Sequence, residues 1–331
     1  MSNWPVKKNF RKFLYLAIGF IIILEILFQI VFFADIKIFK KPILFFNPYC
    51  DQSYWDNVGT STIDNELFQY HPTLTLIKKS NASAYNSPDN KNLFLQQDDI
   101  VFYGSSFIDH KYFIPHFQDN INYAVKSYGL DQIFLSYKLT KEKHADNFVV
   151  FGFLMEDLDR IIFNKRNYPK IKFIKFEDSY KLENSPVNLK NNENRRVVIY
   201  SFNLIKNLSF LYLNKFDHKR SECEIDFKKD LFKFFINKII ENTGNLNQKL
   251  IFVTFNFQED ILEPSWRYEF IKNYLTSKNI IHLDTKDILF KHMKKNNLQP
   301  YNYYSSEDLH LNSLGNEIIA SELKILIGQH K

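Results

Sequence analysis

The stretch Ile100-Val101-Phe102-Tyr103-Gly104-Ser105-Ser106-Phe107 decides how this chain is read. An apolar run of strand length ends in a glycine and two serines, so hydroxyl groups fall where a buried strand opens into a loop. Four further runs share its character, at residues 121–125, 148–151, 250–255 and 280–283. Continuous apolar runs suit strands covered on both faces, which is the habit of parallel sheets flanked by helices. Near the other end, residues 313–327 carry Leu314, Ile318, Ile319, Leu323 and Leu326 at helical spacing and predict a closing helix. His310, in Glu307-Asp308-Leu309-His310-Leu311-Asn312, then lies on the loop before that helix. In an open parallel sheet, loops at the carboxyl ends of the strands form the crevice. A strand-end hydroxyl, a late imidazole and neighbouring carboxylates are the parts of a nucleophile, its base and the base's orienter.

The 331 residues hold one sizeable α/β domain with attachments. Phenylalanine is abundant and glycine scarce, a composition bias that makes aromatic content weak evidence for sugar stacking. The net charge of +6 comes from lysine and arginine scattered among acids, without the single-sign block of a nucleic-acid arm, so no nucleic-acid partner is expected. One basic cluster, Lys7, Lys8, Arg11 and Lys12, precedes the apolar run 13–33. A membrane-crossing helix needs roughly 20 such residues, whereas a cleaved signal has a shorter core of about 7–15 and small residues after it. Phe32-Phe33-Ala34-Asp35 is a poor cleavage site. The expected topology is a single-pass anchor with a cytoplasmic N-terminus and the remainder outside the cytoplasm, although Lys37, Lys40 and Lys41 weigh against it.

Within the span, Glu25 and Gln29 share a helix face. That face suits a membrane partner or self-association, or else Glu25 is a protonated residue that the anchor tolerates. Cys50 and Cys223 are the only cysteines, and a disulfide and two unpaired thiols both remain open. The expected organisation is a basic N-terminus (1–12), an anchor (13–35), an irregular lead-in (36–97) and a catalytic domain (98–331). An insertion at about 164–248 interrupts that domain, with a hairpin (171–176 and 180–182, Asp178-Ser179 at the turn) and helical stretches at 204–213 and 224–242.

These motifs resemble the SGNH (GDSL-type) hydrolase family. Gly104-Ser105-Ser106 stands where the family has Gly-Asp-Ser, and Glu307-Asp308-Leu309-His310 where it has Asp-x-x-His. The second motif is similar to residues 122–129, with Ser127 near the family's usual glycine, and the third is matched loosely by residues 152–157. The likeness spans roughly residues 98–327. It implies a three-layer α/β/α, flavodoxin-like parallel sheet, Ser106 as nucleophile and His310 as base. It also implies either Glu307 or Asp308 as orienting acid, with register favouring Glu307. Backbone N–H groups of Ser106 and Ser127 would hold the oxyanion. The third motif departs most, because ionised Asp157 or Glu156 cannot donate the hydrogen bond that the family's asparagine supplies.

The resemblance implies a serine esterase or O-acyltransferase working without cofactor or metal on an O-acyl ester, O-acetyl groups of a cell-surface polysaccharide being the candidate that location favours. The alternative is a catalytically degenerate scaffold or binding protein of envelope assembly. Asp157 and Arg160 read as a substrate-facing pair or as a local ion pair. Tyr301, Tyr303 and Tyr304 suit sugar stacking or plain packing. His110 and Asp109 are expected to be carried away from Ser106, and the other histidines lack metal-ligand spacing. Oligomeric state is left open.

Overall fold

A computed structural model of the chain describes residues 6–33, 42–58, 64–86, 100–118, 120–183, 185–187, 198–213 and 222–331. Residues 34 and 35 of the expected anchor, the lysines at 37, 40 and 41, and the expected domain start at 98 lie outside these. In chain order the helices are α1 (Val6–Phe33), α2 (Gln52–Asn57), α3 (Ala82–Asn86), α4 (Leu130–Thr140), α5 (Tyr200–Leu213), α6 (Ile225–Asn245), α7 (Trp266–Ser277), α8 (Thr285–Asn296) and α9 (Ser313–His330). The strands are β1 (Phe68–His71), β2 (Thr75–Lys78), β3 (Ile100–Gly104), β4 (Asn120–Asn122), β5 (Phe148–Leu154), β6 (Lys172–Phe176), β7 (Ser179–Glu183), β8 (Lys249–Phe255) and β9 (Ile281–Asp284).

Contacts divide the chain into two units, residues 1–60 with 191–223, and residues 61–190 with 224–331. In the first unit, the Phe10–Phe32 part of α1 has a mean hydropathy of 2.5 and is long and apolar enough to cross a membrane. Phe32, Phe45, Phe46 and Tyr200 form a small aromatic core beside it, the Phe32 and Tyr200 rings stacked with centroids 4.3 Å apart. Cys50 and Cys223 are joined in a disulfide, so of the two alternatives open in the sequence the thiols are paired.

The second unit is built on a five-stranded parallel sheet of order β4-β3-β5-β8-β9. Alternate side chains leave opposite faces of each strand. Tyr103, Phe151 and Phe252 stack across one face, where Tyr137 of α4 meets Tyr103 and Phe151. On that face Phe232 of α6 meets Phe153, and Phe270 of α7 meets Phe232. Phe102, Val150, Ile251 and Val253 share the other face's core with Leu289 of α8 and Ile319 and Leu323 of α9. Every residue of β5 is buried, which is why its sequence is an unbroken apolar run.

Two segments differ from their sequence reading. The lead-in carries an antiparallel pair, β1 with β2, too short to show a period in the sequence. The segment read as one insertion is divided, its hairpin and α6 lying in the second unit and α5 in the first. In that hairpin Phe176 pairs with Ser179, so the turn residues are Glu177 and Asp178, and Glu177 takes a positive φ of 53°.

The end of β3 is shaped by two glycines. Gly104 and Gly152 are register partners, and a Cβ on Gly104 would lie 2.3 Å from the Gly152 carbonyl oxygen. A Cβ on Gly152 would lie 2.2 Å from Cγ1 of Ile108. With no side chain there, residues 105–109 fold back onto the strands, tied by Ser105 N–H to the Gly152 carbonyl and Asp109 N–H to the Ser105 carbonyl.

Candidate active site

Ser106 leaves the sheet two residues after β3, and His310 approaches from the loop before α9. His310 Nε2 lies 2.8 Å from Ser106 Oγ. The other ring nitrogen, Nδ1, faces acceptors only, the Asp308 carbonyl oxygen at 2.9 Å and Asp308 Oδ2 at 3.5 Å. The ring proton therefore belongs on Nδ1, which leaves Nε2 free to accept the serine hydroxyl hydrogen.

The loop is braced for this. Ser305 N–H donates to the His310 carbonyl at 2.8 Å, Tyr304 bridges to Leu311, and Leu309 takes a left-handed φ of 61°. That kink brings Asp308 and His310 to the same side. Burial pushes the Asp308 carboxyl up, but the His310 backbone N–H, the Ser305 hydroxyl and the two nearby imidazoles outweigh it and hold the carboxyl below its usual range. Register favoured Glu307, yet Glu307 is exposed, and Asp308 is the carboxylate at the ring. Tyr303 and Tyr304 are buried, with Tyr304 Oη donating to the Asn256 carbonyl, so they pack, while Tyr301 is exposed.

His310 is sandwiched between Phe107, with centroids 4.6 Å apart, and His110, at 5.2 Å. The expectation that His110 would be carried away fails because residues 105–109 turn back on the strands. No spacing rule in the sequence marks that turn, and its one signal is the glycine pair under Ile108. Asn316 lies beside His110. Its amide nitrogen donates to the Leu311 carbonyl at 2.6 Å and the Asn312 carbonyl at 2.9 Å, so the NH2 end also faces His110 Nδ1 at 3.4 Å. His110 Nε2 lies 4.0 Å from Asp308 Oδ2. Burial, then the His310 ring, pushes the His110 pKa down, which keeps it neutral beside the base.

Near Ser106, Val125 N–H donates to the Gly104 carbonyl, and Ser106 and Ser127 each stand two residues beyond that bond. Ser127 has a φ of 68°, the conformation that explains a preference for glycine there. Asn167 Nδ2 donates to Ser127 Oγ at 2.5 Å, a carboxamide donor that no motif in the chain marks. Asp157 sits inside the protein. It is completely buried, its Oδ1 pairs with Arg160 at 2.6 Å, and its Oδ2 accepts from Leu154 N–H. Burial raises its pKa to about 6 against the opposing pull of Arg160 and the Ser105 hydroxyl. Arg160 also donates to the Tyr128 carbonyl, so of the two readings the local ion pair holds and it braces the loop carrying Ser127.

A cleft of about 910 Å³ opens onto the pair, lined by Ser106, His110, Asn122, Lys126, Asp308 and His310 among others. Lys78 is paired with Asp109 in its wall. Among the described residues no group of three or more His, Cys, Asp or Glu side chains is arranged to hold a metal ion.

No family model and no curated protein matches the sequence. Solved structures do. The chain is similar to SGNH-type hydrolases. A member of the lipolytic G-D-S-L family from Veillonella parvula is 10% identical, over 69% of this chain and 97% of that one, with a TM-score of 0.39. An acetyl xylan esterase is 12% identical over 69% and 98%, with a TM-score of 0.39. A GDSL-like lipase from Bacteroides thetaiotaomicron is 13% identical over 76% and 98%, with a TM-score of 0.36. At such scores the likeness adds no weight to what the Ser106 and His310 geometry supports.

Proposed function

We propose that the protein is a membrane-anchored serine esterase or O-acyltransferase acting on O-acyl esters. One observation carries this reading: Ser106 Oγ and His310 Nε2 are 2.8 Å apart at an open cleft, with the imidazole proton directed to Asp308. In the reaction His310 takes the hydroxyl proton as Oγ attacks the acyl carbonyl carbon. The tetrahedral oxyanion is met by the backbone N–H groups of Ser106 and Ser127. Collapse breaks the ester C–O bond, His310 returns the proton to the leaving alcohol, and the acyl group stays on Ser106. Water or an acceptor hydroxyl, deprotonated by His310, then removes it. Asp308 balances the charge on the imidazolium in both half-reactions.

The apolar helix α1 behind a basic N-terminal cluster supports an anchor with its N-terminus in the cytoplasm. The Cys50–Cys223 disulfide supports an oxidising compartment for the rest. The abundant ester-bearing polymers there are surface glycans, which makes O-acetyl groups on a polysaccharide the preferred substrate. Acetate release set against transfer to an added oligosaccharide separates hydrolase from transferase.

A non-catalytic scaffold draws support from the third motif, whose one buried acid is committed to Arg160 and donates nothing to an oxyanion. Fluorophosphonate labelling of the full chain in detergent distinguishes the two. Labelling abolished by Ser106→Ala supports the enzyme, and a native chain that never labels supports the scaffold.

A further inference from the structure

The first unit contains an unusual pairing. Glu25, deep within the apolar stretch Phe10–Phe32, receives four hydrogen bonds. Gln29 Nε2 donates to it at 2.7 Å, Tyr200 N–H at 3.0 Å, Ser201 N–H at 2.7 Å and the Ser201 hydroxyl at 2.8 Å. Gln29 also donates to the Val198 carbonyl at 2.6 Å. The carboxyl group of α1 therefore caps the first turn of α5, taking N–H groups that a helix start leaves without intrahelical partners. Glu25 and Gln29 are thus accounted for by a segment some 170 residues later.

Glu25 lies seven residues before Phe32, or about 10 Å along the helix axis. The start of α5 must share that depth. From there α5 advances beside α1, with Tyr200 stacked on Phe32 and Asn207 Nδ2 donating to the Ile43 carbonyl. Its inner side is buried through Tyr200, Ser201 and Asn207. Its outer side is apolar and open, with Phe202 65% exposed, Ile205 65% and Leu208 48%, and Ile199 just before it 62%. On α1 the side turned away from Glu25 is equally open, at Phe20, Leu27 and Ile30.

We infer that α5 is a second membrane-inserted element, a short helix that enters one leaflet beside α1 and, with Ile199 just before it, presents Phe202, Ile205 and Leu208 to lipid acyl chains. The occupant is lipid because α1, packed against α5, is itself open and apolar, and because the first turn of α5 is bonded to a residue inside the apolar stretch that would span the bilayer. Hydrocarbon demands that backbone polar groups be satisfied, and Glu25 takes the N–H groups of Tyr200 and Ser201 where α5 begins.

The inference rests on α1 spanning the membrane, and the test separates the two. In the full chain in phosphatidylcholine liposomes, spin labels are placed through Phe202→Cys, Ile205→Cys, Ile21→Cys on α1 and Glu322→Cys on α9, the native cysteines being held in their disulfide. Labels at 202 and 205 should collide with oxygen and escape a water-soluble nickel chelate, as at 21, and the label at 322 should do the reverse. Nickel access at 202 and 205 with 21 still shielded overturns the inference and leaves the span intact. Shielding of 202 and 205 from both reagents means that protein covers the face, and overturns it too. Nickel access at 21 as well removes the span and the inference together. Glu25→Ala should bring the label at 202 into nickel contact, whereas Glu25→Gln should leave it in lipid. An unchanged depth in Glu25→Ala would show that the cap does not hold α5 there.

Discussion

The His110 ring lies parallel to the His310 ring, with 8° between their planes and centroids 5.2 Å apart, so the base of the proposed reaction is seated on a second imidazole. Burial, then the His310 ring, lowers the His110 pKa, and its Nε2 lies 4.0 Å from Asp308 Oδ2. His110 is therefore a positioning residue. His110→Ala is expected to lower kcat on the order of 10- to 100-fold, the effect of a misplaced base, with little change in KM. His110→Phe, which keeps a ring against His310, should lose less, and steady-state kinetics on an acyl ester would compare the two.

Asp308 and Glu307 make opposite predictions. Asp308→Asn should reduce kcat by about 10²-fold, a smaller loss than for a fully buried orienting acid because this side chain is 53% exposed. Glu307→Gln, altering an exposed side chain, should leave kcat within about twofold. An unchanged kcat in both variants would mean that neither carboxylate orients the imidazole.

Gly152 carries the nucleophile loop indirectly. The side chain introduced by Gly152→Ala would meet Ile108 at 2.2 Å and push residues 105–109 off the sheet. The expected results are a stability loss of about 1–3 kcal/mol in chemical denaturation and slower labelling of Ser106.

His144 and Asp157 set pH responses of opposite sign. Burial lowers the His144 pKa from 6.5 to about 4, so its contribution is complete above pH 6.5 and is lost as pH falls through 4. That amounts to about 3 kcal/mol. Asp157, raised by burial to about 6, favours the fold at low pH and loses that contribution as pH rises through 6. His144→Gln should flatten the fall in stability between pH 6.5 and 4 in denaturant titrations. An unchanged slope would place the buried imidazole outside the acid response.

Much of this was legible in the chain itself because burial leaves a compositional trace. Strands β3, β5 and β8 are enclosed on both faces and appear as apolar runs, and Ser106 and His310 could be located from the strand end and the helix start that flank them. What escaped notice depends on chain reversals that composition does not record. His110 returns to the site only because Gly104 and Gly152 let Ile108 close on the sheet. The choice between Glu307 and Asp308 turns on the positive φ of Leu309, a conformation unusual for leucine and unmarked by glycine. The partner of Glu25 is invisible for a simpler reason: Tyr200 and Ser201 are more than 170 residues away and follow no periodicity.

The most direct measurement is the rate of fluorophosphonate labelling of the full chain in detergent across pH, with the modified residue located by mass spectrometry. Labelling on Ser106, lost in Ser106→Ala and reduced in His310→Ala by about 10²-fold or more, is the predicted result. Absence of labelling in the native chain, or label on a different residue while Ser106→Ala reacts unchanged, would contradict it.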